Sequence, residues 1–594
     1  MATSDQLVLA GDFPPATREM WLDLAAKALQ AGSADAALAM LRSTSYDGIT
    51  IEPLYTRADA VDEAAIGLPG TFPLVRGRTP GAGPARWDVR QAVDASACPG
   101  QALEELERGA TSLWLESRDA PSLDVAVALD GVLLDVAPVV LAAGNRWRAA
   151  ATALADHWEA AGVQPATGGS LGADPLGAWA SARDRVDPDA ELAAAATWAA
   201  RLAADAPGVR AVTIDGRRFH DAGASDAQEL GLTLAVAVAT LRALDSVDDP
   251  FAAVELRIAV TADQFSSIAK VRAARQLWAR VAEVAGAPEL AAGTPLHAVT
   301  STAMLTRYDP AVNMLRATVA CFAAGIAGAD AVTVLPYDAV AGAVPSALGR
   351  RLACNTQSVL AMESHLAEVT DPAGGSWYVE QLTAATADAA WSVFQEVEAA
   401  GGFRAAIEAG LVAERIAEVR ARRDGDIDHR RAPLTGLSEY PNTDESPPAP
   451  PVPAAARDDR SLPAHRWSER FETLRARVDD HISAGNARPR VYLATLGAPA
   501  DFTARLSLAA NFYGIAGLAT VHGPVAGFAS SRATVACVCS SDAVYDGNGA
   551  VEEAVAALTS AGATRVDVAG RGALVGGGDA RAALAAILEE LQIR

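Results

Sequence analysis

The first hydrophobic pattern in the chain is helical. Pro14, Pro15 and Thr17 precede an apolar stripe at Trp21, Leu24, Ala25, Ala28 and Leu29, whose spacing predicts an amphipathic helix starting near Thr17. Ala34–Arg42 predicts a second, short helix after Gly32 and Ser33. Such an arm has to cover its stripe, on its own domain or on another subunit.

From about residue 110 to 400 the period alternates. Short β-rich runs at Ser112–Leu115, Val132–Val136, Ala211–Ile214, Leu256–Val260, His297–Thr300 and Ala331–Leu335 are separated by long alanine-rich helical stretches. Strand–helix repetition over roughly 300 residues predicts an α/β fold with a parallel sheet, and this length suits a closed (β/α)8 barrel of the TIM type. The most regular helix is Asp263–Ala285, where Phe265, Ala269, Ala273, Leu277 and Val281 recur every four residues. Lys270, Arg272, Arg275 and Arg280 lie off that stripe and are expected on a solvated or subunit-facing surface.

Residues 441–463 hold seven prolines, including the run SPPAPPVPAAA. That composition favours extended polyproline-type chain and marks a boundary. Alternation then resumes with strand Val491–Leu496, a helix near Thr503–Phe512, strands Leu518–Val521 and Thr534–Cys539, helix Val551–Ser560, strand Arg565–Val568 and helix Asp579–Leu591. This predicts a smaller, doubly wound unit of flavodoxin-like size. The expected organisation is an N-terminal arm and lead-in segment over 1–80, the barrel over 81–400, a connecting segment with the Pro-rich linker over 401–463, and the flavodoxin-like unit over 464–594.

Composition narrows the function classes. The 594 residues carry 49 Lys and Arg against 73 Asp and Glu, a formal charge of −24, with 51% hydrophobic residues. Hydrophobicity at this level excludes disorder, and the acidic surface repels phosphate backbones, so nucleic acid is not an expected partner. An anionic small molecule would need a local basic pocket. Cys98, Cys321, Cys354, Cys537 and Cys539 are too few for a disulfide framework. Cys537 and Cys539 are expected as buried residues on opposite faces of a strand, and no His or Cys pair follows them at zinc spacing. The N-terminus has no basic region, and its first Arg is Arg18, so neither a signal peptide nor a transit peptide is expected. The longest membrane-span candidate, Leu232–Leu241, is far shorter than a bilayer requires, and a cytoplasmic protein is expected.

Several strings are more specific than composition. SYDGITIEPLYTRAD (45–59), GLPGTFPLVRG (67–77), DQFSSIAKVRAARQLWARV (263–281), RYDPAVNMLRATVACFAAGIAGAD (307–330), NTQSVLAMESHLAEVTDPAGGSWYVEQLT (355–383) and TGLSEYPN (435–442) resemble the methylmalonyl-CoA mutase family. The similarity runs from about residue 20 to the C-terminus in the family's order. It implies an adenosylcobalamin-dependent isomerase that interconverts methylmalonyl-CoA and succinyl-CoA by a radical rearrangement, the cofactor performing cobalt–carbon homolysis. It also implies a barrel with CoA threaded along its axis and a C-terminal flavodoxin-like cobalamin unit.

Against that family pattern, the chemistry-bearing positions differ. Active members carry Asp-x-His-x-x-Gly after the first strand of the cobalamin unit: a cobalt ligand, the aspartate that orients it, and a glycine that admits the nucleotide tail. Here Pro499, Asp501 and Ala504 take those places. His522 is expected in a loop after the next strand, too far along to substitute, while Ser540-Ser541 and Gly576–Gly578 resemble later elements of the unit. In the barrel, RGRTPGAGPARW (76–87) lacks the family's tyrosine, and Arg218 stands at the catalytic histidine's position, with His220 two residues on. Gly172 and Ala182 replace a glutamine and a carboxylate-binding arginine; Arg183 is one residue off and points about 100° away on a helix. Tyr308 replaces another active-site glutamine, and a Ser-x-Thr strand reads Ala126-Val127-Ala128. Glu363 stays at a position resembling a ribose-contacting glutamate.

The resemblance therefore points to the small (β) subunit type of a heterodimeric mutase. A large (α) catalytic subunit is the expected partner and carries the adenosylcobalamin. No residue of this chain is assigned a catalytic, cofactor-binding or metal-ligating role. Two alternatives stand beside it. One is an autonomous acyl-CoA mutase of altered specificity using a separate cobalamin-binding chain. The other is a non-enzymatic CoA-ester-binding scaffold.

Overall fold

Thr17 caps the first helix by accepting a bond from the Met20 amide, and Ser33 caps the second in the same way through Ala36. These helices, α1 (Arg18–Ala28) and α2 (Ala34–Leu41), pack on each other as a hairpin. No residue of α1 is buried, and Met20, Leu24 and Met40 are half or more exposed. A two-stranded antiparallel ribbon, Ser43–Thr44 with Thr50–Ile51, leads from the hairpin toward the barrel. The computed structural model describes residues 16–78, 87–94, 100–116, 124–181, 187–342, 344–448, 462–547, 549–574 and 577–593. Cys98, Ala182, Arg183, Gly576, most of RGRTPGAGPARW and most of the proline run lie outside them.

Eight parallel strands close into a barrel: β1 (Asp88–Asp94), β2 (Ser112–Glu116), β3 (Val139–Ala142), β4 (Ser170–Ala173), β5 (Arg210–Asp215), β6 (Val254–Val260), β7 (Leu296–Thr300) and β8 (Ala331–Thr333), with β8 pairing back onto β1. Five of the six expected strands are among them. The sixth, Val132–Val136, is a succession of turns (Val132 N to the Leu129 carbonyl, Ala137 N to that of Leu133), and the strand starts after Pro138. Leu133 and Val136 are each 67% exposed, so that apolar run does not mark a buried strand. Ala126–Ala128 is also no strand. Asp124 accepts a bond from the Val127 amide and caps a helical turn, Val125–Ala128.

The long helix α3 (Gln264–Val284) forms as predicted, capped by Asp263, but three of its four cations are buried. Lys270 pairs with Asp226 and Glu229 at 2.8 and 2.5 Å. Arg272 pairs with Asp371 and with Glu380 at the start of α4 (Trp377–Ala399), and Arg275 pairs with Asp330 at 2.9 Å. Arg76 and Arg78 of the lead-in segment share Asp371 and Asp330 with them, at 2.8 and 2.6 Å. Only Arg280 is solvated. The helix is covered on several sides, by α4 and by the helix Val312–Ile326 among others, so its off-stripe face is interior too.

The C-terminal unit starts with α5 (Glu469–Ser483). It continues as a four-stranded parallel sheet in the order β10-β9-β11-β12, with β9 Arg490–Thr495, β10 Ala519–Pro524, β11 Val535–Cys539 and β12 Arg565–Val568. Central position first and neighbours on both sides is the flavodoxin-like arrangement. Cys537 and Cys539 face the same core, with Val535, while Ala536 and Val538 face the other. Side chains two apart in a strand share a face, which corrects the expected opposition. His522 lies exposed within β10 instead of in a loop after it. Among the described residues no helix is long and apolar enough to cross a membrane.

Candidate functional site

Strands of the barrel alternate inward and outward, and here the inward positions are polar or bulky. Arg90 on β1 reaches Glu255 on β6 at 2.8 Å, and Trp114 on β2 lies 5.6 Å from the His297 ring on β7. None of these strands is a neighbour of its partner's, so the contacts cross the interior. The guanidinium groups of Arg217 and Arg257 each lie 4.6 Å from the Trp114 ring centroid. Glu255 also holds Arg257 at 3.2 Å, and Asp215 pairs with Arg217 at 2.6 Å. Arg90, Trp114, Glu255, Arg257 and His297 are all at least 97% buried. These side chains fill the axis that the family resemblance reserves for CoA.

The network sets its own protonation. Burial pushes the Glu255 carboxyl up, but Arg90 first and then Arg257 outweigh it and hold the group well below the ordinary carboxylate range. His297 is driven down to about 3, first by burial and then by Arg90. Its Nδ1 accepts from the Arg257 Nε–H at 2.9 Å; a guanidinium has only donors, so the ring proton sits on Nε2, directed at Thr333 Oγ1 2.8 Å away.

At the barrel mouth the positions singled out by the resemblance make local contacts. Arg218 bonds Asp174 at 2.8 Å, where a catalytic imidazole is expected of an active chain. His220 is buried with Nε2 2.6 Å from Ser301 Oγ and Nδ1 3.2 Å from Glu229. His220, Asp226 and Glu229 bring their ligand atoms within 4.8 Å of one another, yet Lys270 already pairs with both carboxylates. Beside them opens a cavity of about 620 Å³ lined by Tyr46, His220, Asp226, Arg423 and Trp467 among others. Gly172 adopts φ +66° in β4, and a Cβ there would lie 1.9 Å from the Leu141 carbonyl oxygen. The backbone itself leaves no room for a glutamine. Glu363 ends a π-helical turn, Val359–Glu363, and is exposed.

In the C-terminal unit the expected ligand loop is helix. The helix α6 (Pro499–Ile515) starts earlier than the apolar pattern indicates, because Pro499 suits a first helical position and Asp501 accepts a bond from the Ala498 amide at 2.8 Å. Asp501 is thus spent on a helix cap. The crevice at the carboxyl ends of the strands is stitched shut by Ser540 Oγ on the Leu496 carbonyl (2.8 Å) and by the Tyr545 hydroxyl between the Val538 and Ala569 carbonyls (3.0 Å each). Arg505 crosses the same edge to Ala569 and Asp542 at 2.9 Å. Among the described residues no imidazole stands in the expected ligand loop and these contacts cross the edge where a nucleotide tail would pass, so they do not fit cobalamin.

The plug of the axis was not read from the sequence, although a signal was there. Glu255 and Arg257 stand two apart inside the strand VELRIAV, and His297 in LHAVT, so charge recurs with strand period in otherwise apolar runs.

The sequence profile of the methylmalonyl-CoA mutase family matches residues 120–486. The chain is 48% identical to the methylmalonyl-CoA mutase small subunit of Streptomyces virginiae, over 96% of this chain and 94% of that one. It is 38% identical to the small subunit of Propionibacterium freudenreichii subsp. shermanii, over 85% and 80%. With the methylmalonyl-CoA mutase of Cereibacter sphaeroides it shares 30% identity over 72% of this chain and 65% of that one. The chain belongs to the methylmalonyl-CoA mutase family.

Proposed function

We propose that this member of the methylmalonyl-CoA mutase family is the non-catalytic subunit of a heterodimer, pairing with a large subunit that binds adenosylcobalamin and performs the isomerisation of (R)-methylmalonyl-CoA and succinyl-CoA. The observation that carries this reading is the filled axis: Arg90, Trp114, Glu255, Arg257 and His297 occupy the space a CoA ester would thread. Evicting them would leave charges unpaired in the interior, at about 3–5 kcal/mol for each broken pair. The mouth supports it through Arg218 in place of an imidazole and the backbone at Gly172. Two relatives are named small subunits, which supports a large partner.

This chain's contribution is then structural. The α1–α2 hairpin, with Met20, Leu24 and Met40 exposed, offers an uncovered apolar surface ahead of the barrel, suited to the large subunit. The arm over 1–80, the barrel over 81–400, the connection over 401–463 and the closing unit over 464–594 are proposed as its working parts.

The test is turnover of methylmalonyl-CoA with adenosylcobalamin by this chain alone, by a large mutase subunit alone, and by the two together. Turnover by the pair, none by this chain, and a stoichiometric complex on sedimentation are expected. Turnover by this chain alone, or with only a small cobalamin-binding protein added, would sink the proposal.

A further inference from the structure

Three consecutive residues after β7 are tied to segments far along the chain. The Arg307 amide donates to Glu472 at 2.8 Å, the Tyr308 hydroxyl to Asp479 at 2.7 Å, and the Asp309 amide to Glu445 at 2.7 Å. Glu472 and Asp479 lie on α5, at the start of the C-terminal unit. Arg475, between them, stacks on the Tyr308 ring at 4.3 Å and pairs with Glu445 at 2.9 Å. Just before these residues, the Trp467 amide bonds the Ala303 carbonyl at 3.0 Å and Ser468 Oγ bonds that of Leu305 at 3.2 Å. Tyr308 is 2% exposed and belongs to the same apolar core as Phe471, Leu474, Phe512 and Tyr513 of the C-terminal unit. A barrel loop thus supplies a core residue to the other unit.

From this geometry we infer that residues 303–309 form a latch which fixes the C-terminal unit to the barrel mouth, with Tyr308 as its bolt, so that the two halves open and close only together. Two features make the latch strong. Three of its hydrogen bonds are made to carboxylates, about twice as strong as neutral ones, and those to Glu472 and Asp479 are buried. Its donors include two backbone amides, which no side-chain rearrangement can withdraw. Tyr308 stands where an active-site glutamine is implied for active chains; a glutamine could not fill the aromatic slot under Arg475. A position of the reaction site has become a structural joint, and the chain meets its partner with one fixed shape. The geometry stands whether or not the chain is catalytic.

Hydrogen exchange on the full chain tests it, with peptides covering 303–309 and 465–479 followed in the natural protein, Tyr308→Phe and Tyr308→Gln. Tyr308→Phe keeps the ring and removes only the hydroxyl. It is expected to speed exchange of both peptides together by at least tenfold, about 1.4 kcal/mol of opening free energy, while strands β4 to β6 are unchanged. Tyr308→Gln is expected to go further in the same direction. Acceleration of one peptide alone, or of neither, overturns the latch; so do two independent melting transitions of the natural chain in calorimetry. Asp479→Ala, which keeps α5 helical and removes the acceptor, should reproduce the effect should the tyrosine variants fail to fold, and its silence would also refute the inference. Turnover of methylmalonyl-CoA measured on the same samples reports on the proposed function separately, since catalysis would sink that reading and leave the exchange result standing.

Discussion

Replacing His297 by glutamine should remove a pH dependence of stability that this one side chain creates. The imidazole is fully buried, accepts from Arg257 and is directed at Thr333. Burial and then Arg90 drive it down to about 3, from an ordinary value of 6.5. The folded state therefore binds no proton there in the range where the unfolded chain does. A group depressed on folding contributes fully above its unfolded value, and loses that contribution as pH falls toward its folded one. Between pH 7 and pH 5 the loss comes to about 2 kcal/mol, from roughly 1.4 kcal/mol per unit below 6.5. The lumen carboxylates do not interfere: Glu255 lies well below its ordinary range and Asp215 is likewise lowered, so both stay ionised at pH 5. Glutamine can accept from Arg257 with Oε1 and donate to Thr333 with Nε2, but does not titrate. Urea unfolding of both proteins at pH 7 and pH 5 gives four free energies. Their double difference should be about 2 kcal/mol, with the natural chain the more acid-labile. Equal pH slopes would mean that His297 is solvated or charged in the folded protein, and the dry, filled axis would be refuted.

His465 should behave in the opposite sense. Its bonds to Asp424 and Glu469 raise it to about 9, so its stabilisation is complete below 6.5 and disappears as pH rises through 9; His465→Gln should cost about 2–3 kcal/mol at pH 7 and nothing near pH 10 in denaturant titrations. Gly172→Gln, which restores the family residue type, should destabilise by about 3 kcal/mol or more, since it adds left-handed strain to a clash with the Leu141 carbonyl; an unchanged melting temperature would refute the backbone reading. Asp501→His should confer no cobalamin binding at micromolar concentration, judged by absorbance after gel filtration, and should lose about 1 kcal/mol with the cap to the Ala498 amide. A coloured protein would show that the rest of a cofactor pocket is intact.

The architecture was legible where the chain obeys a single period. Leu256–Val260 and His297–Thr300 are apolar enough to read as strands, and α3 repeats every four residues, so both emerge from pattern alone. Of the three strands the pattern misses, Val139–Ala142 is placed too early in the chain, and the other two are instructive. In DVRQAVD an arginine sits at the centre, and SLGA has no β-branched residue, because those positions face a polar, crowded interior. The cations of α3 misled for a related reason. Charge is assigned to solvent by default, and only the fold shows that Arg272 and Arg275 meet the same carboxylates as Arg76 and Arg78.

Differences from a family motif can be read one position at a time, because each compares a residue type with a chemical demand. What the residues at those positions do instead cannot be read that way. Arg90 and Glu255 are 165 residues apart in sequence, and Tyr308 and Asp479 are 171 apart. No spacing rule joins such pairs; the closed barrel and the docking of α5 bring them together. The substitutions are therefore better understood as coupled sets than as separate losses. Once Glu255 is paired with both Arg90 and Arg257 in the interior, removing any one of the three strands charge, at a cost comparable to much of a domain's stability. An axis filled in this way is hard to open by single substitutions.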